Sequence, residues 1–319
     1  MHQKLWILLF LLTGLVSCKP VSQSVYIDVP TVTKNALSGI YTFSPEKAST
    51  RIYAEFAGKG DTMILLHGYG TDLHMWDGAF YRFAKRFHVI RYDLRGYGRS
   101  DMPAEGFGYL HADDLRAIMD AMHVRKAHLV GVSLGAKVVA EFVALYPDRV
   151  LSATLSSGAL THIPDRTSVS SNIVKAYNDT VFAYNTKNAQ RNRSIGLPSL
   201  KKEWKKAMKH ISGKHYDRIK EDLNSMIDDW SGWQLTHPEV DALIGDQADS
   251  LLTRQRTSPP LLLLIGQDDF SENKKAMLRM GAICPTARIQ TLQNIGHYSV
   301  MEDPSGFCKR VFTFISNNH

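Results

Sequence analysis

The chain has 319 residues, 44% of them hydrophobic, and a formal net charge of +7. This length and apolar content are enough for one large domain with a sizeable core, and they exclude a disordered or fibrous protein. Much of the positive charge lies between residues 201 and 220, where we expect a solvated helix face, with attraction to an anionic membrane surface or an acidic substrate as the alternative. Because no nucleic-acid-binding motif accompanies the charge, the sequence predicts no nucleic-acid partner.

The N-terminus has the pattern of an export signal. A basic start precedes the apolar run from Leu5 to Leu12, which is too short for a permanent transmembrane helix. The signal ends in Leu15-Val16-Ser17-Cys18, which resembles the lipobox of bacterial lipoproteins. The resemblance implies that residues 1–17 are a signal peptide and that Cys18 carries acyl chains, each buried CH₂ contributing about 0.8 kcal/mol to membrane binding. We therefore expect a lipid-anchored protein of the bacterial cell envelope, facing the periplasm or the exterior.

Residues 18–42 are predicted to be a tether between the anchor and the domain, because residues 19–36 are rich in Ser, Thr, Val and Pro without a helical period. Short apolar strands and helical patterns then alternate over residues 43–158. The alternation predicts an α/β fold with a mostly parallel sheet that has helices on both faces.

The alternation stops between residues 159 and 255, where amphipathic helical patterns occur without a convincing strand. It resumes over residues 256–319, with apolar strands near 260–265 and 288–292 and a closing helix. The sequence therefore predicts an α/β core in two parts, residues 43–158 and 256–319, with an inserted helical cap.

A serine lies at a predicted strand-to-helix turn in the segment Gly131-Val132-Ser133-Leu134-Gly135. A turn this tight forces the serine backbone into a strained conformation, and a side chain two residues before or after it would collide with the strand or the helix. Glycine at both places is therefore expected. The turn exposes the Ser133 hydroxyl and directs the first N–H groups of the helix toward a bound negative charge.

Candidate partners for this serine follow the last two predicted strands. Asp268 and Asp269 come directly after one strand, and His297 follows the next. Because the carboxyl ends of parallel strands meet at one edge of a sheet, these side chains are expected to converge on Ser133. A serine hydroxyl needs a base within hydrogen-bond reach and a third group that orients the base, and this set supplies both.

These motifs together resemble the α/β-hydrolase family, in its cap-bearing, esterase-like branch. The matching segments, in chain order, are His67-Gly68-Tyr69-Gly70, residues 93–100, residues 131–135, Gly266-Gln267-Asp268-Asp269, Gly296-His297 and residues 301–304. The resemblance implies an α/β-hydrolase fold in which Ser133 is the nucleophile, His297 the base and Asp269, favoured over its neighbour, the orienting acid. It also implies an oxyanion hole made by the backbone N–H groups of Tyr69 and Leu134.

The implied reaction is carboxylesterase-like hydrolysis of a small-molecule ester or a related acyl substrate through an acyl-enzyme. Carbon–carbon bond hydrolysis, aminopeptidase-like amide cleavage and perhydrolysis use the same triad and stay open, as does a non-catalytic ligand-binding member of the fold. Serine at position 133 excludes the dehalogenase and epoxide hydrolase relatives, which have aspartate there. No metal-ligand spacing and no dinucleotide-binding loop is present, so no metal and no organic cofactor are expected. The sequence gives no indication of the oligomeric state.

Five further residues have a structural interpretation and an alternative. Cys284 and Cys308 are expected to be buried thiols, because nothing in the sequence brings them within bonding reach, and a disulfide is the alternative. Trp76 and Trp204 are expected in the core, with a position facing substrate as the alternative. His67 is expected to shape the loop after its strand.

Overall fold

The computed structural model of the protein describes residues 21–31, 49–104, 109–159, 186–237, 252 and 258–318. Within these residues eight strands form one sheet: β1 (Gln23–Pro30), β2 (Ser49–Ala57), β3 (Thr62–Leu66), β4 (His88–Tyr92), β5 (Ala127–Val132), β6 (Val150–Ser156), β7 (Leu261–Gly266) and β8 (Ala287–Leu292). Their order is β1-β2-β4-β3-β5-β6-β7-β8, and all pairs from β4 to β8 are parallel. The predicted α/β fold with a mostly parallel sheet is confirmed.

Helices lie on both faces of this sheet. They are α1 (Asp77–Phe83), α2 (His111–Ala121), α3 (Leu134–Leu145), α4 (Leu197–Ile211), α5 (Tyr216–Asp229), α6 (Trp233–Thr236), α7 (Ser271–Ile283), α8 (Ser299–Glu302) and α9 (Pro304–Ser316), and residues 186–195 are also helical. Two hydrophobic clusters result, one containing α2 and α3 side chains and the other α1 and α9 side chains. Within the described ranges, no helix is both long and apolar enough to span a bilayer.

Strand β3 shows why the core strands are continuous apolar runs. Ile64 and Leu66 belong to one hydrophobic cluster, whereas Met63 and Leu65 belong to the other. Successive side chains of a strand point to opposite faces, so a strand covered on both faces needs apolar residues at every position. The same reasoning holds for β7, which is buried throughout.

The predicted tether is wrong for residues 23–30, which form the edge strand β1. This strand pairs antiparallel with β2, and Ile27 and Val29 are buried in the core. Composition suggested a linker, but Val25, Ile27 and Val29 alternate with polar residues or tyrosine, which is the period of a half-buried strand. Of the rest of the predicted tether, residues 18–20 and 32–42 lie outside the described residues.

The predicted cap is described only in part. Within residues 186–237 the structure has α4, α5 and α6 and no strand, and residues 160–185 and 238–251 lie outside the described residues. Helices α4 and α5 pack against each other and against the loops at the carboxyl ends of the strands. The described part of the cap therefore covers the edge of the sheet that carries Ser133.

Cys284 and Cys308 are both buried and form no disulfide, so the alternative of a bridge is wrong. Burial raises the pKa of the Cys308 thiol to about 12. A thiol with so high a pKa stays protonated and unreactive at neutral pH.

Candidate active site

Ser133 stands at the sharp turn between β5 and α3. Its φ is +56° and its ψ is −116°, a conformation that a residue with a side chain adopts only at a cost of about 1–3 kcal/mol. A Cβ on Gly131 would collide with the carbonyl of Gly135, and a Cβ on Gly135 would collide with the carbonyl of Leu66. The two glycines are therefore required by close approach, as the sequence predicts.

The two predicted oxyanion donors lie on segments that flank Ser133. Leu134 is the first residue of α3, and the N–H groups of a first turn have no partner within their helix. Tyr69 follows Gly68, where an added Cβ would lie only 3.2 Å from the Ser133 Cβ. Both backbone positions therefore lie beside the serine, and their role as donors stays a prediction.

His67 shapes the loop that carries Tyr69. Its Nε2 accepts a hydrogen bond from the Leu94 N–H at 2.9 Å, which leaves Nδ1 to donate to the Gly68 carbonyl at 2.8 Å. Complete burial lowers the pKa of His67 to about 4, so the ring is neutral at pH 7. These contacts give His67 the structural role that the sequence predicts.

The structure brings Asp269, rather than Asp268, to His297. The Nδ1 atom of His297 donates to Oδ1 of Asp269 at 2.7 Å, and each residue is only 5% exposed. Asp268 turns away, and its Oδ2 atom lies near Gly213 in the loop between α4 and α5. Since Nδ1 is occupied by the carboxylate, Nε2 is the nitrogen of His297 that remains for a proton from Ser133.

Asn273 is a neighbour of this pair that the sequence analysis missed. It lies in the first turn of α7, and its Nδ2 donates to Oδ1 of Asp269 at 3.3 Å and lies 3.3 Å from Nδ1 of His297. The Phe270 N–H donates to the same Oδ1 at 2.7 Å. Three donors therefore fix one carboxylate oxygen. The only sequence signal for Asn273 was its position four residues after Asp269, one helical turn away.

Glu302 holds the loop that carries His297, and this role was also missed. Its two carboxylate oxygens accept the N–H groups of Gly296 at 2.7 Å and Tyr298 at 3.0 Å. The N–H between them, that of His297, donates to the carbonyl of Ile211 at 2.6 Å, which is the last residue of cap helix α4. All three consecutive N–H groups are therefore held, two by Glu302 and one by the cap.

Burial raises the pKa of Glu302 to about 7, although the two backbone N–H groups oppose the shift. A carboxyl whose pKa is higher in the folded state than in the unfolded state binds more protons when folded. Between about pH 4.5 and 7 the Glu302 contribution to stability therefore falls as the pH rises. Burial of the charged form of Glu302 lowers the stability of the fold, and the two hydrogen bonds that it accepts hold the loop that carries His297.

Glu302→Gln is expected to lower kcat by about 10- to 100-fold with little change in KM, because glutamine offers one acceptor to two N–H groups and lets His297 move. The same variant should lose the Glu302 part of the fall in stability between pH 5 and 7. Ester turnover and urea unfolding at both pH values measure these effects.

The matched control for this substitution is Asp303→Asn, one residue further on. Asp303 caps α9 by accepting the Gly306 N–H at 2.9 Å, and asparagine is an equivalent cap. Its kcat should stay within about threefold of the wild type, since asparagine preserves the cap. Equal losses of kcat in both variants would show that Glu302 acts on the whole segment rather than on His297.

Ser133 and His297 open into one cavity of about 170 Å³. Its walls come from the loop after β3, from α4 and from the ends of the last two strands, and they include Tyr69, Trp204, Met208, Phe270, Asn273 and Tyr298. Trp204 packs against the second hydrophobic cluster, as expected of a core residue, and it also lines this cavity, as the alternative of a position facing the pocket predicts. Trp76 is fully buried against Phe307, as expected of a core residue.

The described residues contain no group of three His, Cys, Asp or Glu side chains that could hold a metal ion. The arrangement of Ser133, His297 and Asp269 instead provides a hydroxyl, a base and an orienting carboxylate. Such a set can carry out nucleophilic attack on a carbonyl carbon.

Comparison with known proteins agrees with this fold. The sequence profile of the alpha/beta hydrolase fold matches residues 61–304. An uncharacterized protein of Mycobacterium tuberculosis is 34% identical over 107 residues, which are 33% of this chain and 31% of that protein. A pimeloyl-acyl-carrier-protein methyl ester esterase of Methylococcus capsulatus is 37% identical over 107 residues, 34% of this chain and 41% of the esterase. Each of these alignments covers less than half of the relative's length.

A solved structure extends the likeness to nearly the whole fold. An esterase from Thermogutta terrifontis aligns with a TM-score of 0.68 over 93% of this chain and 99% of its own. The sequences are 23% identical, so this likeness concerns the architecture of the two proteins.

Proposed function

Because the chain belongs to the α/β-hydrolase family, we propose that it is a serine hydrolase that cleaves carboxylic esters through an acyl-enzyme on Ser133. The observation that carries the proposal is the 2.7 Å hydrogen bond between His297 and Asp269 at the wall of the cavity that also exposes Ser133. The methyl ester esterase among its relatives supports ester bonds as the target.

In the acylation step, Oγ of Ser133 bonds to the ester carbonyl carbon while its proton passes to Nε2 of His297. The carbonyl oxygen becomes an oxyanion, which the N–H groups of Tyr69 and Leu134 stabilise by about 3 kcal/mol each. When the tetrahedral intermediate collapses, the bond to the alkoxy oxygen breaks and His297 gives its proton to the leaving alcohol. Asp269 stabilises the transient imidazolium.

In the deacylation step, water replaces the alcohol. His297 takes a proton from the water while the water oxygen bonds to the acyl carbon. The bond between the acyl carbon and Oγ of Ser133 then breaks, and His297 returns the proton to Oγ as the acid departs. Carbon–carbon, amide and peroxide chemistry differ only in the leaving group or in the second nucleophile. They are the alternatives to ester hydrolysis.

The proposal is tested with the full-length protein in detergent, by turnover of short aryl esters and by labelling with a fluorescent organophosphonate. The rate of ester cleavage should exceed the rate of cleavage of anilides of the same acids and the rate of peracid formation from acetate and peroxide. Peptide mapping should place the label on Ser133. Absence of both turnover and label would overturn the proposal in favour of a ligand-binding protein.

We also propose that the protein is anchored to a membrane of the bacterial envelope through acyl chains on Cys18, on the strength of the lipobox-like residues 15–18. Cys18 lies outside the described residues. Cys18→Ala should move the protein from the membrane fraction to the soluble fraction and abolish incorporation of labelled palmitate. A wild-type protein without palmitate would contradict the anchor.

The strand directions fix which side of the domain such an anchor would adjoin. Strand β1 is antiparallel to β2, which is antiparallel to β4, so β1 runs in the direction of the parallel strands. Its start at Gln23 therefore lies where the parallel strands begin, whereas Ser133 lies where they end. Ser22 contacts Tyr81 there. Only residues 19–22 separate this start from Cys18, so the two residues are at most about 18 Å apart. An anchored protein would then hold its catalytic cavity away from the bilayer, open to soluble substrates.

A further inference from the structure

The cavity beside Ser133 is small. It measures about 170 Å³, close to the about 150 Å³ of an engineered protein cavity that holds one benzene molecule. A group of roughly six or seven non-hydrogen atoms therefore fills it. This volume must hold the part of the substrate next to the reacting carbonyl.

The walls that the structure describes are apolar or neutral. Trp204 and Met208 come from α4, Phe270 and Tyr298 flank His297, and Asn273 is the one neutral amide. Two lysines of α4 point away from the cavity, since Lys205 pairs with Asp228 at 2.5 Å and Lys201 donates to the Asp228 carbonyl at 2.6 Å. Among the described wall residues, an acyl group with a negative charge would lose its hydration without finding a Lys or Arg side chain beside it.

The two α4 residues that line the cavity, Trp204 and Met208, are held in place by contacts with neighbouring side chains. The Trp204 ring contacts the Tyr69 ring, with centroids 5.3 Å apart, and Tyr69 in turn contacts Trp230 at 5.0 Å. Met208 is only 2% exposed and packs in the core. The end of α4 holds the backbone of His297 through Ile211, so a long acyl chain that displaced this helix would also displace the base.

On the premise of the proposed ester hydrolysis, we propose that the substrate carries a short, uncharged acyl group of about two to six carbon atoms, and that Trp204 and Met208 set this limit. The Met208 side chain forms part of the cavity wall. Because both residues lie on one helix, acyl-chain selection and the position of His297 are determined by the same element.

The test compares p-nitrophenyl esters of acetate, butyrate and octanoate, and adds the mono-p-nitrophenyl ester of succinate as a charged acyl group. For the full-length protein, kcat/KM should be at least tenfold higher for butyrate than for octanoate or the succinate ester. Met208→Ala should raise the ratio of octanoate to butyrate at least fivefold. Met226→Ala is the matched control, because Met226 is equally buried in the same hydrophobic cluster on α5 but does not line the cavity.

In these ester assays, two results would overturn the size and charge limit: octanoate or the succinate ester cleaved as fast as butyrate, or an equal change of chain preference in the two methionine variants. Binding of propylboronic and octylboronic acids, measured by calorimetry, keeps the test independent of turnover, since a boronate bonds to Oγ of Ser133 without hydrolysis. Tighter binding of the shorter boronate supports the limit even if no ester is hydrolysed, and equal or tighter binding of the longer one overturns it. A protein that turns over no ester would contradict only the proposed reaction.

Discussion

Ser133→Ala is expected to lower kcat for ester hydrolysis by about 10⁶-fold, because it removes the atom that forms the acyl-enzyme. The residual rate would come from the oxyanion donors and from substrate binding, which retain about 10³- to 10⁴-fold over water in such enzymes. Alanine has a side chain with the same Cβ and must adopt the same positive φ, so the free energy of unfolding should change by less than about 1 kcal/mol. Ester turnover and organophosphonate labelling measure the first effect, and urea unfolding measures the second.

Ser157→Ala is the matched control for this variant. Ser157 follows β6, has a φ of +57° and is fully buried, and its Oγ forms no hydrogen bond within the described part of the chain. It therefore shares the residue type and the positive φ of Ser133 without lining the cavity. The control should keep kcat within about threefold of the wild type, in the range typical of substitutions that remove no contact. A comparable loss in both variants would mean that the first one damages the fold rather than the reaction.

The sequence was sufficient for those parts of the fold and site that depend on local pattern. The alternation of strands and helices along the chain follows from apolar runs separated by helical patterns. The place of Ser133 follows from two glycines, which the structure shows in close backbone contacts. Asp268, Asp269 and His297 were located because strand ends converge in a parallel sheet. The choice of Asp269 over Asp268 came from the resemblance to the α/β-hydrolase family.

The parts that were missed depend on contacts between distant segments. Glu302 entered the sequence analysis only within the matching segment 301–304, but its carboxylate reaches back to hold the N–H groups of Gly296 and Tyr298. The Ile211 carbonyl meets His297 only because α4 folds over the sheet edge. Composition also failed for β1, because polar residues facing solvent on an edge strand resemble a linker when the partner strand is unknown.

The sequence also could not predict which cap residues line the cavity. The lysines between 201 and 220 were expected on a solvated helix face, with an anionic membrane surface or an acidic substrate as the alternative. Of these, Lys201 and Lys205 contact α5 and do not line the cavity. Helical periodicity gives the faces of α4, but which face meets Ser133 depends on how the helix docks. That docking is fixed by the aromatic contacts of Trp204 and by the hydrogen bond from His297.

Asp269→Asn is expected to lower kcat by about 10⁴-fold while leaving KM nearly unchanged. The three donors to Oδ1, from His297, Phe270 and Asn273, favour the amide oxygen at that position and should keep the imidazole in place. What is lost is the negative charge that stabilises the imidazolium when His297 holds the proton of Ser133. The amide nitrogen would take the place of Oδ2, a buried atom without a hydrogen-bond partner among the described residues, so a loss of about 1–3 kcal/mol in stability should accompany the change.

The neighbouring Asp268→Asn separates this effect from a general loss of negative charge at the end of β7. Both substitutions remove one carboxylate from the same loop, but only Asp269 touches His297. Asp268→Asn should keep kcat within about threefold of the wild type, as expected of a substitution away from the reacting groups. If instead Asp268→Asn caused the larger loss, the assignment of the acid would be wrong. If both variants kept full activity, His297 would not need an orienting carboxylate, and the reaction would have to depend on a base held only by Glu302 and the cap.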